Sequence, residues 1–171
     1  MSEQIELNPA SHITIGTVGE PGNRTFYLQG SQRETVISLI IEKTQASMIA
    51  EAIEGLMKDV ATDHPELAPL ESEFATIDVR LRDPAVALFR VGNLGLGFNQ
   101  ESGRIIIAAY EMVEEGVDPG LVSFWGTFDQ MRALIKQTRT LVKSGRPICG
   151  NCGVSMDKDG HFCPRRNGHN H

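Results

Sequence analysis

A chain of 171 residues has room for one ordinary domain and a small appendage. Its composition, 40% hydrophobic and 22% charged, is that of a globular protein, and it contains no run of eighteen apolar residues that could cross a bilayer as a helix. The net charge of −6 is unevenly placed: residues 143–171 hold Lys143, Arg146, Lys158, Arg165 and Arg166 against Asp157 and Asp159, a net +3, which leaves −9 on residues 1–142.

The opening MSEQIELNPAS is polar and lacks a basic segment followed by an apolar one, so a cytoplasmic location is expected, with no membrane association. Gln4 to Leu7 is a candidate first strand. His12 to Glu20 is a second, with Ile13 and Ile15 on one face, and Glu20-Pro21-Gly22-Asn23 is a tight reversal into a strand over Thr25 to Gln29. Thr35 to Glu42 is apolar on both faces, which places it centrally in a sheet. Thr44 is expected to cap a helix running to about Val60, with Ile49, Ile53, Leu56 and Val60 as its buried stripe.

An acidic linker, Asp63 to Phe74, carries Pro65 and Pro69 and marks the midpoint. Beyond it, Ile77, Val79 and Leu81 alternate with Asp78, Arg80 and Arg82, the pattern of a half-buried strand. Ala87 to Phe98 is another strand, with a bulge expected near Gly92-Asn93. Asn99 to Gly103 reads as a hairpin loop, and Arg104 to Met112 and Leu121 to Gly126 as the last strands. Thr127 opens a second helix with Gln130 three residues on, a capping box. Met131, Leu134, Ile135, Thr138 and Leu141 form its inner stripe, Lys143 lies in its last turn, and Gly145 ends it.

The layout is strands then helix, twice. The expected fold is α+β: one duplicated domain over 1–145, with repeats of about 4–62 and 75–145, forming an antiparallel sheet with two helices on one face. Residues 146–171 form a separate tail. If Gln4 to Leu7 is a strand, each half is ββββα.

All three cysteines lie in that tail, a poor match to a disulfide framework and a good one to a metal site in a reducing compartment. Cys149-Gly150-Asn151-Cys152-Gly153 is a metal knuckle: two residues between thiolates let both sulfurs face one ion, and the following glycine eases the turn. A short hairpin around Asp157 to Gly160 then returns His161 and Cys163 to the same side of a strand. Cys149, Cys152, His161 and Cys163 are therefore the expected ligands of one structural Zn2+ per chain. His169 is the rival fourth ligand, two residues from a terminus that should fray. A catalytic zinc needs an open position, and no acidic residue stands beside these ligands as an obvious base.

Other signals are weaker. Gly16, Gly19 and Gly22 match neither a dinucleotide fingerprint nor a P-loop and read as a glycine-rich hairpin. Trp125, Phe124, Phe89 and Tyr27 could stack bases, but aromatics in strands are more often core. His12 opens a strand with no visible partner, and no Ser/His/Asp or Cys/His arrangement can be assembled.

The run Gly16 to Gln29 (GTVGEPGNRTFYLQ), the late Gly145-Arg146-Pro147 and the ending Gly160 to Gly168 (GHFCPRRNG) resemble an uncharacterised bacterial family, domain-of-unknown-function family 3090. The resemblance covers nearly the whole chain. It implies a bacterial cytoplasmic protein with a zinc-ribbon-like Cys/His tail and brings no known activity. The expected function is a non-catalytic binding or scaffold role toward a protein partner. The alternative is single-stranded nucleic-acid binding, with the basic tail as the phosphate-facing part, because the doubled layout is similar to that of the Whirly and PUR single-strand binders. A third is an enzyme with a site between the repeats.

Overall fold

The computed structural model describes residues 3–20, 22–68, 77–82 and 86–143. Four strands come first: β1 (Gln4–Leu7), β2 (His12–Glu20), β3 (Asn23–Gln32) and β4 (Thr35–Ile41). Helix α1 (Lys43–Asp63) follows, then β5 (Ala87–Asn99), β6 (Arg104–Glu111), β7 (Leu121–Gly126) and α2 (Phe128–Lys143). The fold is mixed α+β, a seven-stranded sheet with two helices, its strands in the order β1-β7-β6-β5-β4-β3-β2.

The sheet is mainly antiparallel, but two of its pairings are parallel. The 21-residue helix α1 separates β4 from β5, a crossover that returns the chain in the same direction, and β4 pairs with β5 in parallel. The first strand crosses to the far edge and pairs in parallel with β7, Gln4 opposite Leu121. The expected bulge is present, as a register shift between Val91 and Asn93 in the β5–β6 pair. The strand expected over 77–82 is not in the sheet. Each half of the ordered sheet is thus a three-strand meander followed by a helix, with β1 added at one edge.

Alternation along the strands builds one core. Ile15, Leu28 and Leu39 lie opposite one another on β2, β3 and β4, and Leu96, Ile107 and Phe124 on β5, β6 and β7. The sheet curls enough to bring β3 against β7. A Cβ on Gly30 of β3 would stand 2.5 Å from Phe124 Cδ1, so no larger residue fits where that ring fills the curl. A Cβ on Gly126 would stand 2.6 Å from Ile13 Cδ1 of β2, the end of a flexible side chain that would have to shift.

Both helices close this core. Ala46, Ile49, Ala50, Ile53 and Val60 are buried on α1, which matches the expected stripe, with Leu56 packed at its margin. On α2 the buried residues are Phe128, Met131, Leu134, Ile135 and Thr138. The expected capping box is formed: the Thr127 N–H donates to Gln130 Oε1 at 2.8 Å and the Gln130 N–H to Thr127 Oγ1 at 3.1 Å. For α1 the expectation was displaced by two residues. Glu42, not Thr44, occupies the cap, and its N–H donates to Gln45 Oε1 at 2.7 Å. Gln45 wins because its amide also reaches the carbonyls of Val91 and Gly92 at the β5 bulge, tying the helix start to the sheet.

Candidate binding groove between the helices

Cys149, Cys152, His161, Cys163 and His169 all lie outside the described residues, as do Gly145 and the rest of the tail. Among the described residues no three His, Cys, Asp or Glu side chains gather as a metal site would need.

The described residues instead place a cationic surface between the helices. Arg132, Lys136, Arg139 and Lys143 recur at three- and four-residue steps on α2, so they share a face. That face meets α1 along Glu54, Lys58 and Ala61, and the two helices bound an open cavity of about 660 Å³. Met57, Ala61 and Ile135 give it an apolar floor. Among the described residues, five cationic side chains line it against a single carboxylate, Glu54.

Glu54 Oε2 accepts from Arg139 Nη1 at 2.9 Å across the helix pair, and Lys58 Nζ stands 3.8 Å from Oε1. The Arg139 hydrogen bond holds the Glu54 carboxyl below its ordinary range, so it is ionised at neutral pH. Arg132 reaches Asp129 at 2.9 Å and lies over the Phe128 ring at 5.7 Å. A second cavity of about 510 Å³ opens on the other side of the Glu54–Arg139 pair, lined by Ser47, Ala50, Glu51, Thr138, Val142 and Lys143 as well as the pair itself. Chemically, the groove can hold an anion that also carries apolar surface. The composition pointed to a basic tail and missed this groove. The i, i+3, i+4 spacing of the α2 cations is the signal that the sequence carries for it.

The outer face of β2–β3–β4 carries a buried polar row. Thr14, Gln29 and Ser38 lie opposite one another in register and are fully or almost fully buried. Residues 77–82 cover them. Thr14 Oγ1 donates to the Val79 carbonyl at 2.5 Å, and Gln29 exchanges two hydrogen bonds with the Arg82 backbone, at 2.7 and 2.9 Å. His12 does have a partner: its Nε2–H donates to the Arg80 carbonyl at 3.0 Å, while Nδ1 is buried without one among the described residues. Burial, then the nearby Arg82, lower the His12 pKa. This network is structural, a polar lining between sheet and covering segment.

The remaining sequence signals resolve simply. Gly19 and Gly22 adopt φ of 108° and 87° at the β2–β3 turn, the hairpin role expected of them. Phe124 faces the core and is fully buried, whereas the neighbouring Trp125 points to the other side of β7 and donates its indole N–H to Ser123 Oγ. The two therefore form no common stacking platform.

Fold and groove define a class of mixed α+β protein with a curled sheet and a basic helix–helix groove. The family model described as protein of unknown function (DUF3090) matches residues 5–163, and the chain belongs to that family. No curated protein and no solved structure matches the chain.

Proposed function

We propose that this chain is a non-catalytic binding protein, stapled by one zinc ion in its tail, that takes an acidic, partly apolar segment of another protein along the α1–α2 groove. The observation that carries the reading is the concentration of five cations around an apolar floor in a chain of net charge −6. A peptide with acidic and aliphatic side chains at helical spacing satisfies both features at once. Among the described residues the groove has no aromatic lining on which bases could stack, which favours a peptide over single-stranded nucleic acid. Support for the zinc is from the sequence: Cys149-Gly150-Asn151-Cys152 has the spacing of a metal knuckle, and His161 and Cys163 follow two residues apart.

The test is fluorescence anisotropy with a labelled amphipathic helix of alternating Leu and Glu faces, titrated across a salt series. Micromolar binding that weakens as salt rises is expected. Reversing the exposed Lys136 and Lys143 (K136E, K143E) should cost at least about tenfold in affinity, the scale of losing two rim charges. Binding that ignores both changes would overturn the reading. Tighter binding of a single-stranded oligonucleotide at the same groove would reassign it to nucleic acid.

A further inference from the structure

Glu54, Arg139 and Lys143 line both cavities, and the hydrogen-bonded Glu54–Arg139 pair spans the helices between them, a partition with Lys143 at its end. Among the described residues Glu54 is the only carboxylate lining the larger cavity, and it meets Arg139 and Lys58, cations that an incoming acid would seek. The partition is not locked. The side chains of Glu54 and Arg139 are 39% and 47% exposed, and solvent-exposed pairs of this type hold together weakly. Arg139 keeps further guanidinium donors beyond the Nη1 used by Glu54, so it can receive a second carboxylate before releasing the first.

We infer that Glu54 is an internal stand-in for the ligand's acidic group: a carboxylate of the bound segment takes Arg139 from it, and the two cavities join into one slot across the helix pair. This rests on the groove being the binding site. The exchange is of like for like, one carboxylate on Arg139 replacing another, so it sets specificity toward acidic side chains. A neutral segment would leave Glu54 in place and the slot divided.

The test compares the affinity of the same Leu/Glu peptide for the wild type, E54Q, E51Q, R139Q and E54Q/R139Q. Glutamine keeps the shape of Glu54, and thermal melts of each variant check folding. E51Q is the control, because it removes an equal charge beside the smaller cavity, where Glu51 acts on Arg139 only through space. E54Q is expected to bind roughly five- to tenfold tighter, the size of a competing charge-assisted hydrogen bond removed. E51Q should change affinity by no more than about twofold, as distant screened charges do. In the R139Q background the gain from E54Q should vanish, because Glu54 then has nothing to withhold. Equal gains from E54Q and E51Q, or a gain that persists without Arg139, would overturn the inference and leave general electrostatics as the cause. If wild type and E54Q both fail to bind the peptide, the groove reading itself falls with it. If wild type binds and E54Q gains nothing, only the stand-in falls.

Discussion

His12 is a histidine held neutral by its surroundings. It is 3% exposed, it spends its Nε2–H on the Arg80 carbonyl, and its second nitrogen has no acceptor among the described residues. Burial penalises the charged ring most and the nearby Arg82 adds to it, together outweighing the Arg80 carbonyl and Asp78, which favour the proton, so the folded-state pKa lies below the ordinary value of 6.5. The sign follows: between the folded and unfolded values the unfolded chain binds more protons, so stability rises with pH. It is complete above about 6.5 and is lost as pH falls from there toward the folded-state value. Urea midpoints measured from about pH 7.5 to about pH 5.5, the range over which histidines titrate, should therefore fall. In His12→Gln, which keeps a donor for Arg80 but cannot titrate, the fall should be smaller. Equal slopes for the two proteins would show that His12 is not the group responsible. None of this was legible in the sequence. The partner is a backbone carbonyl 68 residues away, and a carbonyl has no residue type to recognise.

The elements divide between those whose signal is local and those whose signal is not. Both helix stripes, the bulge at Gly92 and the Thr127–Gln130 box were readable because periodicity and capping are settled within a few residues. The segment 77–82 shows the limit. Its alternation is genuine, since Leu81 lies against Gly16 on β2 while Asp78 and Arg80 face solvent. Yet alternation reports two different environments, not a ladder partner. Asp78 Oδ1 captures the Arg80 N–H at 3.0 Å and the guanidinium at 3.1 Å, which takes that donor out of any sheet and holds the Asp78 carboxyl at about 2. The helices carry the corresponding stability prediction. Ile53 and Leu134 are fully buried on facing elements, so replacing either by Ala leaves a cavity in the shared core and should cost about 2–5 kcal/mol. Out of a domain total of about 5–15 kcal/mol, either loss should lower the melting temperature by several degrees. Unchanged melting in both variants would mean that the stripes do not face a core.

At the scale of the whole molecule, two arrangements escaped the sequence because they are set by distant partners. Nothing in Gln4–Leu7 announces a parallel partner at Leu121–Phe124, and nothing in Gly30 announces the Phe124 ring that it must admit. Among the described residues, every buried hydrophobic residue of the core cluster lies between Leu7 and Ile135. Structural zinc supplies folding free energy to the segment that ligates it, and here all the expected ligands come after Lys143. The two ought therefore to be separable. Elemental analysis of protein purified without chelator should give one zinc per chain, and a chelator should remove it while the body's cooperative unfolding transition stays in place. Metal-free protein at that step would refute the zinc site, and global unfolding on chelation would make the tail part of the core. The same titration assigns the fourth ligand. His161 is two residues from Cys163, the spacing that would bring both side chains to one side of an extended segment, as the expected site requires, whereas His169 is six residues beyond Cys163. His161→Ala should consequently weaken zinc in a competition titration far more than His169→Ala, and the reverse ranking would move the site to His169.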